Sequence, residues 1–234
     1  MTSRSHTRSV VLSESEVAAA ADAIRSNGFA ILHGVVSATS LLQLDQKMTA
    51  DLPAWLHSHT QQHGYPAFNW IYGNVQQLPP RSSQFVFADV LCNTAIAQVA
   101  KRVLGASCAL TGYTGNTNMP DSQWQPVHRD AKHDDEPLRK LVANICTSSY
   151  AVTEENGAIE LWPASHLEEE VAEVEASVLA GNTLHMLTGG SPLSLEQATG
   201  GVVHPALVER RRAAAPPVRD SPWGCIDSRY APLA

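Results

Sequence analysis

The sequence predicts an α+β protein with helices in its first hundred residues and a mainly β core after them. Three observations carry this reading. Apolar residues recur at helical spacing as far as Val103. Beyond Gly105 the apolar stretches become short and β-rich. Asn156-Gly157, a tight-turn signal, separates two of those stretches. Helices first and short strands later describe an antiparallel β core flanked by helices. The 234 residues, 44% hydrophobic and 17% charged, suit one domain with a sizeable core.

Residues 1 to about 10 are polar and basic and read as a disordered lead. Ser13 and Glu16 form a Ser-x-x-Glu capping box. Val17, Ala20, Ala21 and Ile24 then share a helical face, and Asn27-Gly28 ends the helix. Phe29 to Val36 reads as a strand. Ser37 caps a second helix to about Asp51, with Leu41, Leu44 and Met48 on one face. His57 to Pro80, with Trp70, Tyr72 and paired prolines, reads as irregular and surface-facing. A third helix is predicted from Ala88 to Val103, stopping at Gly105. Leu110 to Asn118, Leu138 to Tyr150 and Ala158 to Leu161 read as strands, the last two joined through the Asn156-Gly157 turn. Residues 167 to 180 are acidic and helical in pattern, and Thr188 to Gly201 reads as a Gly/Ser loop. There is no internal repeat and no boundary between two domains.

Composition removes several function classes. The formal net charge is -7 and the one basic run is Arg210 to Arg212, so a nucleic-acid partner is not expected. No segment approaches the roughly 20 apolar residues that span a bilayer, and no apolar run follows the N-terminus as in a signal peptide. Cys92, Cys108, Cys146 and Cys225 stand apart without Cys-x-x-Cys spacing. Reduced thiols and a cytoplasmic location fit that pattern best.

The chemistry concentrates in Gln125-Pro126-Val127-His128-Arg129-Asp130. Side chains alternate across a strand, so a His-x-Asp pair can aim both groups at one metal ion. Two histidines and one carboxylate on one face of Fe(II) leave three positions open, enough for a bidentate 2-oxo acid and dioxygen. A surface histidine beside a solvated aspartate is the plainer alternative, and His133, Asp134 and Asp135 nearby are compatible with it. Asn144, inside the apolar stretch Leu141 to Cys146, is either a satisfied buried amide or a group facing the site. Trp70 and Tyr72 are candidates for a substrate pocket or for plain packing.

A second block follows, Thr153-Glu154-Glu155-Asn156-Gly157-Ala158-Ile159-Glu160-Leu161-Trp162-Pro163-Ala164-Ser165-His166. With the His-x-Asp before it at this interval, it resembles the phytanoyl-CoA dioxygenase family, whose Asn-Gly turn leads into a strand ending Pro-Gly-Ser-His. Ala164 stands where the family usually has glycine. The resemblance covers about residues 10 to 220 and is strongest over 123 to 166. It implies a double-stranded β-helix (a cupin-like jelly roll) flanked by the N-terminal helices. It also implies Fe(II), with 2-oxoglutarate and dioxygen as cosubstrates and a small organic molecule to be hydroxylated or oxidised. His128 and Asp130 are then the metal ligands. Gln125 and Asn144 are cofactor-binding candidates, and His166 lies near the site without being a ligand.

The C-terminus departs from the family. The late strand of the form Asp-x-Arg-Leu-Trp-His, and the arginine about ten residues on that binds the far carboxylate of 2-oxoglutarate, are not found. His185 and His204 stand in contexts unlike that strand and read as ordinary residues. Residues 11 to 222 are therefore expected to form the domain, lacking its last strands, and residues 223 to 234 an aberrant tail. A one-base frame shift just upstream of Trp223 permits a reading Arg-Asp-(Thr or Met)-Arg-Leu-Trp, which suggests a gene-model error. An open sheet edge, poor stability and impaired turnover are expected. Two other readings stay open: a metal-free cupin-like binding protein, and a different jelly-roll enzyme such as a metal-dependent isomerase.

Overall fold

The structure is a computed structural model. It describes residues 9–67, 73–120, 128–129, 141–146, 159–161, 163–164, 166, 193–194, 200–204, 208–211 and 223–232. Helix α1 (Glu14–Asn27) begins where the capping box places it. The Ser13 side chain accepts from the Glu16 amide, and the Glu16 carboxylate accepts from the Ser13 amide at 2.7 Å. Gly28 ends the helix in the left-handed region at φ 86°, donating to the Ile24 carbonyl. Strand β1 (Ala30–His33) follows, then helix α2 (Ala38–His63), capped by Ser37.

Helix α2 runs past the expected stop near Asp51 and through Pro53 to Gly64, which sits at φ 78°. Proline removes one helical donor, but Leu52 packs beside Ala67 and Val75 with Trp55 and Leu56 against them. That apolar contact holds the second half in register, so His57 to His63 are helical rather than irregular. Strand β2 (Asn74–Val75) follows.

The helix expected from 88 to 103 is two helices, α3 (Ala88–Leu91) and α4 (Thr94–Leu104). Asn93 divides them. Its Oδ1 accepts from the Ile96 amide at 3.0 Å, and its Nδ2 donates to the carbonyls of Val35 and Asp89. Asp89 in turn accepts from the Ser37 amide and the Ser40 hydroxyl, each at 2.9 Å. One buried polar knot therefore joins the starts of α2 and α4.

The strands that follow are β3 (Cys108–Asn118), β4 (His128–Arg129), β5 (Leu141–Cys146), β6 (Ile159–Leu161), β7 (Leu193–Ser194), β8 (Gly200–His204), β9 (Val208–Arg211) and β10 (Trp223–Pro232). They form a six-stranded sheet of order β1-β8-β5-β10-β3-β2 and a four-stranded sheet of order β4-β9-β6-β7. Every pairing among the described strands is antiparallel. Ile24, Leu44, Ile96 and Val99 of the helices pack with Leu141, Ala143 and Ile145 of β5 in one apolar core.

Three strand expectations need correction. The segments either side of Asn156-Gly157 do not form a hairpin: β5 belongs to the six-stranded sheet and β6 to the four-stranded one. The Gly/Ser loop gives way to β7 and to the start of β8, because both find partners far away in sequence. The tail is no loose end. Residues 223–232 lie between β3 and β5 and are paired on both sides. The open edge expected from a missing last strand does not occur between β3 and β5. The helix expected over residues 167 to 180 lies outside the described residues. Among the described residues no helix is long and apolar enough to cross a membrane.

Candidate active site

The six-stranded sheet has two unlike faces. On β5 the alternate residues Leu141, Ala143 and Ile145 meet the helices. Val142 and Asn144 point the other way and are nevertheless buried, so this second face is also covered. Register carries it across the sheet, because residues paired across an antiparallel ladder share a face. Asn144 lies in a row with Asp227 and Thr114, and Cys146 in a row with Cys225 and Asn116. Val142 lies in a row with Arg229 on one side and His204 on the other. The face away from the helices is thus rich in polar positions. The Asn116 Oδ1 is buried and has no hydrogen-bond partner among the described residues. Such an acceptor is costly unless a ligand or water meets it.

The helix-facing side of β3 is different. A Cβ on Gly115 would come within 2.5 Å of the Gln77 carbonyl oxygen and 2.8 Å of the Met48 Cε, so only glycine fits this approach to α2. Thr117 donates to the Gln77 side chain at 3.0 Å. Tyr113 packs against the core, and burial pushes its phenol up to about 12. Its hydroxyl therefore stays protonated in any physiological range.

The four-stranded sheet carries His128. His128 on β4 pairs with Glu209 on β9, Glu209 pairs with Leu161 on β6, and Leu161 pairs with Leu193 on β7. These four positions form one row. Leu161 is fully buried. The neighbouring row, holding Glu160 and Arg210, belongs to the other face. Asp130 and Gln125 lie outside the described residues, as do His185, Trp70 and Tyr72. Among the described residues no group of three or more His, Cys, Asp or Glu side chains gathers.

The second sequence block has a structural role at its end. Ala164 adopts φ 64°, the left-handed conformation that suits the glycine usual in the family. Its amide donates to the Asn27 carbonyl at 2.8 Å. His166 is buried, with Nε2 3.1 Å from the Arg25 carbonyl. A carbonyl only accepts, so Nε2 carries the proton. Ala164 and His166 together fasten the end of the block to the C-terminus of α1.

Sequence reasoning missed Asn116, Asp227, Arg229 and Glu209. Period-two alternation is visible in Thr114-x-Asn116-x-Asn118 and in Trp223-x-Cys225-x-Asp227-x-Arg229, and it could have flagged the first three. Nothing local marks Glu209; only its register with His128 does.

A sequence model of the phytanoyl-CoA dioxygenase family matches residues 24–203. The fold is similar to several solved structures. AviO1 from Streptomyces viridochromogenes Tue57 is 22% identical with a TM-score of 0.62, over 97% of this chain and 98% of that one. HygX from Streptomyces hygroscopicus, with nickel and 2-oxoglutarate bound, is 14% identical with a TM-score of 0.63, over 96% of this chain and 88% of that one. EvdMO1 is 19% identical with a TM-score of 0.63 over 93% of this chain, which spans 50% of EvdMO1.

Proposed function

The chain belongs to the phytanoyl-CoA dioxygenase family, and from that premise we propose that it is an Fe(II)- and 2-oxoglutarate-dependent oxygenase acting on a small organic molecule. The observation that carries the reading is the pairing of His128 with Glu209, whose partner on the other side is the fully buried Leu161. The strand order supports a double-stranded β-helix: from β3 onward the chain passes between the two sheets, with the β6 and β7 hairpin in the four-stranded one. HygX, whose structure holds nickel and 2-oxoglutarate, is similar in fold.

The residues fit the group they are proposed to hold. His128 and Asp130 offer an imidazole and a carboxylate, a donor pair suited to a ferrous ion. The buried polar face of the six-stranded sheet offers the Asn144 amide for a polar cosubstrate. Arg229, on that same face by register, is the cation proposed for the far carboxylate of 2-oxoglutarate. Gln125 is proposed to hydrogen-bond the cosubstrate. An Fe(II) ion held there supplies the redox chemistry that couples decarboxylation of 2-oxoglutarate to oxidation of the substrate. The protein's part is to fix the cosubstrate between the two inner faces and to exclude water from them. Turnover is proposed to be low, since the late Asp-x-Arg-Leu-Trp-His strand is not found in the sequence.

Calorimetric titration of 2-oxoglutarate under anaerobic conditions tests this. Binding is expected only with Fe(II) or Mn(II) present, and His128→Ala is expected to abolish it. Binding that ignores both the metal and His128 overturns the proposal and favours the metal-free binding protein.

A further inference from the structure

We infer that His59 and His63 form an exchangeable site for a late first-row divalent ion such as Ni(II), Cu(II) or Zn(II), on the last turns of α2 and separate from the proposed iron site. Spacing is the first observation. Histidines four residues apart lie on one face of a helix, the arrangement by which helical zinc sites supply two imidazoles. His59 and His63 stand at that spacing inside α2. Their rings meet, with centroids 4.4 Å apart. Two imidazoles bound side by side to one ion, at bond lengths of about 2.0–2.1 Å, have centroids about 4.5 Å apart.

The tautomer of His59 is the second observation. Its Nδ1 lies 2.9 Å from the Tyr65 carbonyl oxygen. A carbonyl only accepts, so Nδ1 carries the proton and Nε2 the lone pair. Metal-binding histidines are held in this way: the other ring nitrogen donates to a carbonyl or carboxylate, which orients the ring and raises its basicity. Trp55 stacks on the same ring at 5.0 Å between centroids, and Tyr65 meets it edge-on at 5.2 Å. His63 lies in the last turn of α2, at the negative end of the helix dipole, where a cation is favoured. Two protein ligands, with water completing the coordination, make an exchangeable site rather than a closed structural one. Imidazole donors bind Cu(II) and Ni(II) in preference to Mn(II). An ion held there ties one turn to the next in the half of α2 that follows Pro53, and so stabilises it. Packing alone is the rival, since Trp55, His59, His63 and Tyr65 form one chain of ring contacts. That rival needs no ion, so binding decides between them.

The test is calorimetric titration of the full chain with Ni(II), which needs no turnover. His63→Ala is expected to weaken one Ni(II) site by more than about tenfold, the loss that even supporting residues of metal sites cause. His63 is exposed, so this truncation leaves the core intact. His59→Ala is expected to weaken the same site. His57→Ala, exposed and two residues away on another face of the helix, is expected to change nothing. His128→Ala is expected to keep the site that depends on His63, which separates it from the proposed iron site. Ni(II) is also expected to raise the melting temperature of the unaltered chain, and to raise that of His63→Ala by less. Should His63→Ala bind Ni(II) as the unaltered chain does while His128→Ala loses it, the ion belongs to the proposed iron site and the inference fails with that reading intact. Should the unaltered chain bind no Ni(II), the four rings are packing and the inference fails.

Discussion

The two faces of the six-stranded sheet are both buried at β5, yet they are built from different materials. Toward the helices lie Leu141, Ala143 and Ile145, continuous with Ile24, Leu44 and Ile96. Away from the helices lie Val142 and Asn144, in rows that also hold Thr114, Asn116, Asp227 and Arg229. The first face is what cohesion requires: apolar surface removed from water, and close packing. The second keeps the Asn144 side chain and the Asn116 Oδ1 out of water, which cohesion alone disfavours. Burial by itself therefore does not distinguish scaffold from site. The chemistry of what is buried does.

Substitutions on the two faces should respond accordingly. Ile145→Ala on the helix side should cost about 2–5 kcal/mol, as core truncations do, measured by the denaturant midpoint; a cost below about 1 kcal/mol would dissolve the contrast. Tyr113 on the same side predicts a pH effect. Its phenol lies above its ordinary 10, at about 12, because burial disfavours the charged form. Stability from this group is complete below about pH 10 and is lost as pH rises through about 12. Tyr113→Phe should flatten that alkaline decline, which denaturant melts across the window would show; an unchanged decline would place the ring in water. The smallest effect belongs to the polar side. Asn116→Ala removes an acceptor that has no partner among the described residues, so stability should move by less than about 1 kcal/mol. Its loss should fall instead on affinity for a small-molecule substrate that carries a hydrogen-bond donor, since 2-oxoglutarate carries none. A large stability loss with unchanged affinity would make Asn116 a packing residue.

What the sequence disclosed was local. The Ser13–Glu16 box, the Gly28 stop, the Ser37 cap and the Gly105 stop all lie within a few residues of the elements they bound, and each was legible. The long strand ending at Asn118 and the apolar strand around Asn144 were legible for the same reason. Pro53 misled, because a proline normally ends a helix and only the packing of Leu52, Ala67 and Val75 reverses that. The start of β8 reads as loop and β10 as tail in the sequence, and β9 is not read as a strand at all. Their identity depends on partners 48 or more residues away, and a pairing at that distance leaves no mark in a short window. Glu209 shows the limit most plainly: Val208-Glu209-Arg210-Arg211 is unremarkable text until β4 lies beside it.

The place of β10 has a consequence for how the molecule comes together. Its neighbours β3 and β5 end at residues 118 and 146, but neither can be joined until residues 223–232 arrive between them. A ribosome releasing this chain in order therefore holds a helical layer already able to collapse and a sheet still split down its middle. The closing step is an insertion across about a hundred residues of intervening chain, the kind of long-range contact that slows folding. During that interval β3 and β5 offer unmatched backbone to any passing strand, which leaves the nascent chain exposed to misassembly until residues 223–232 emerge.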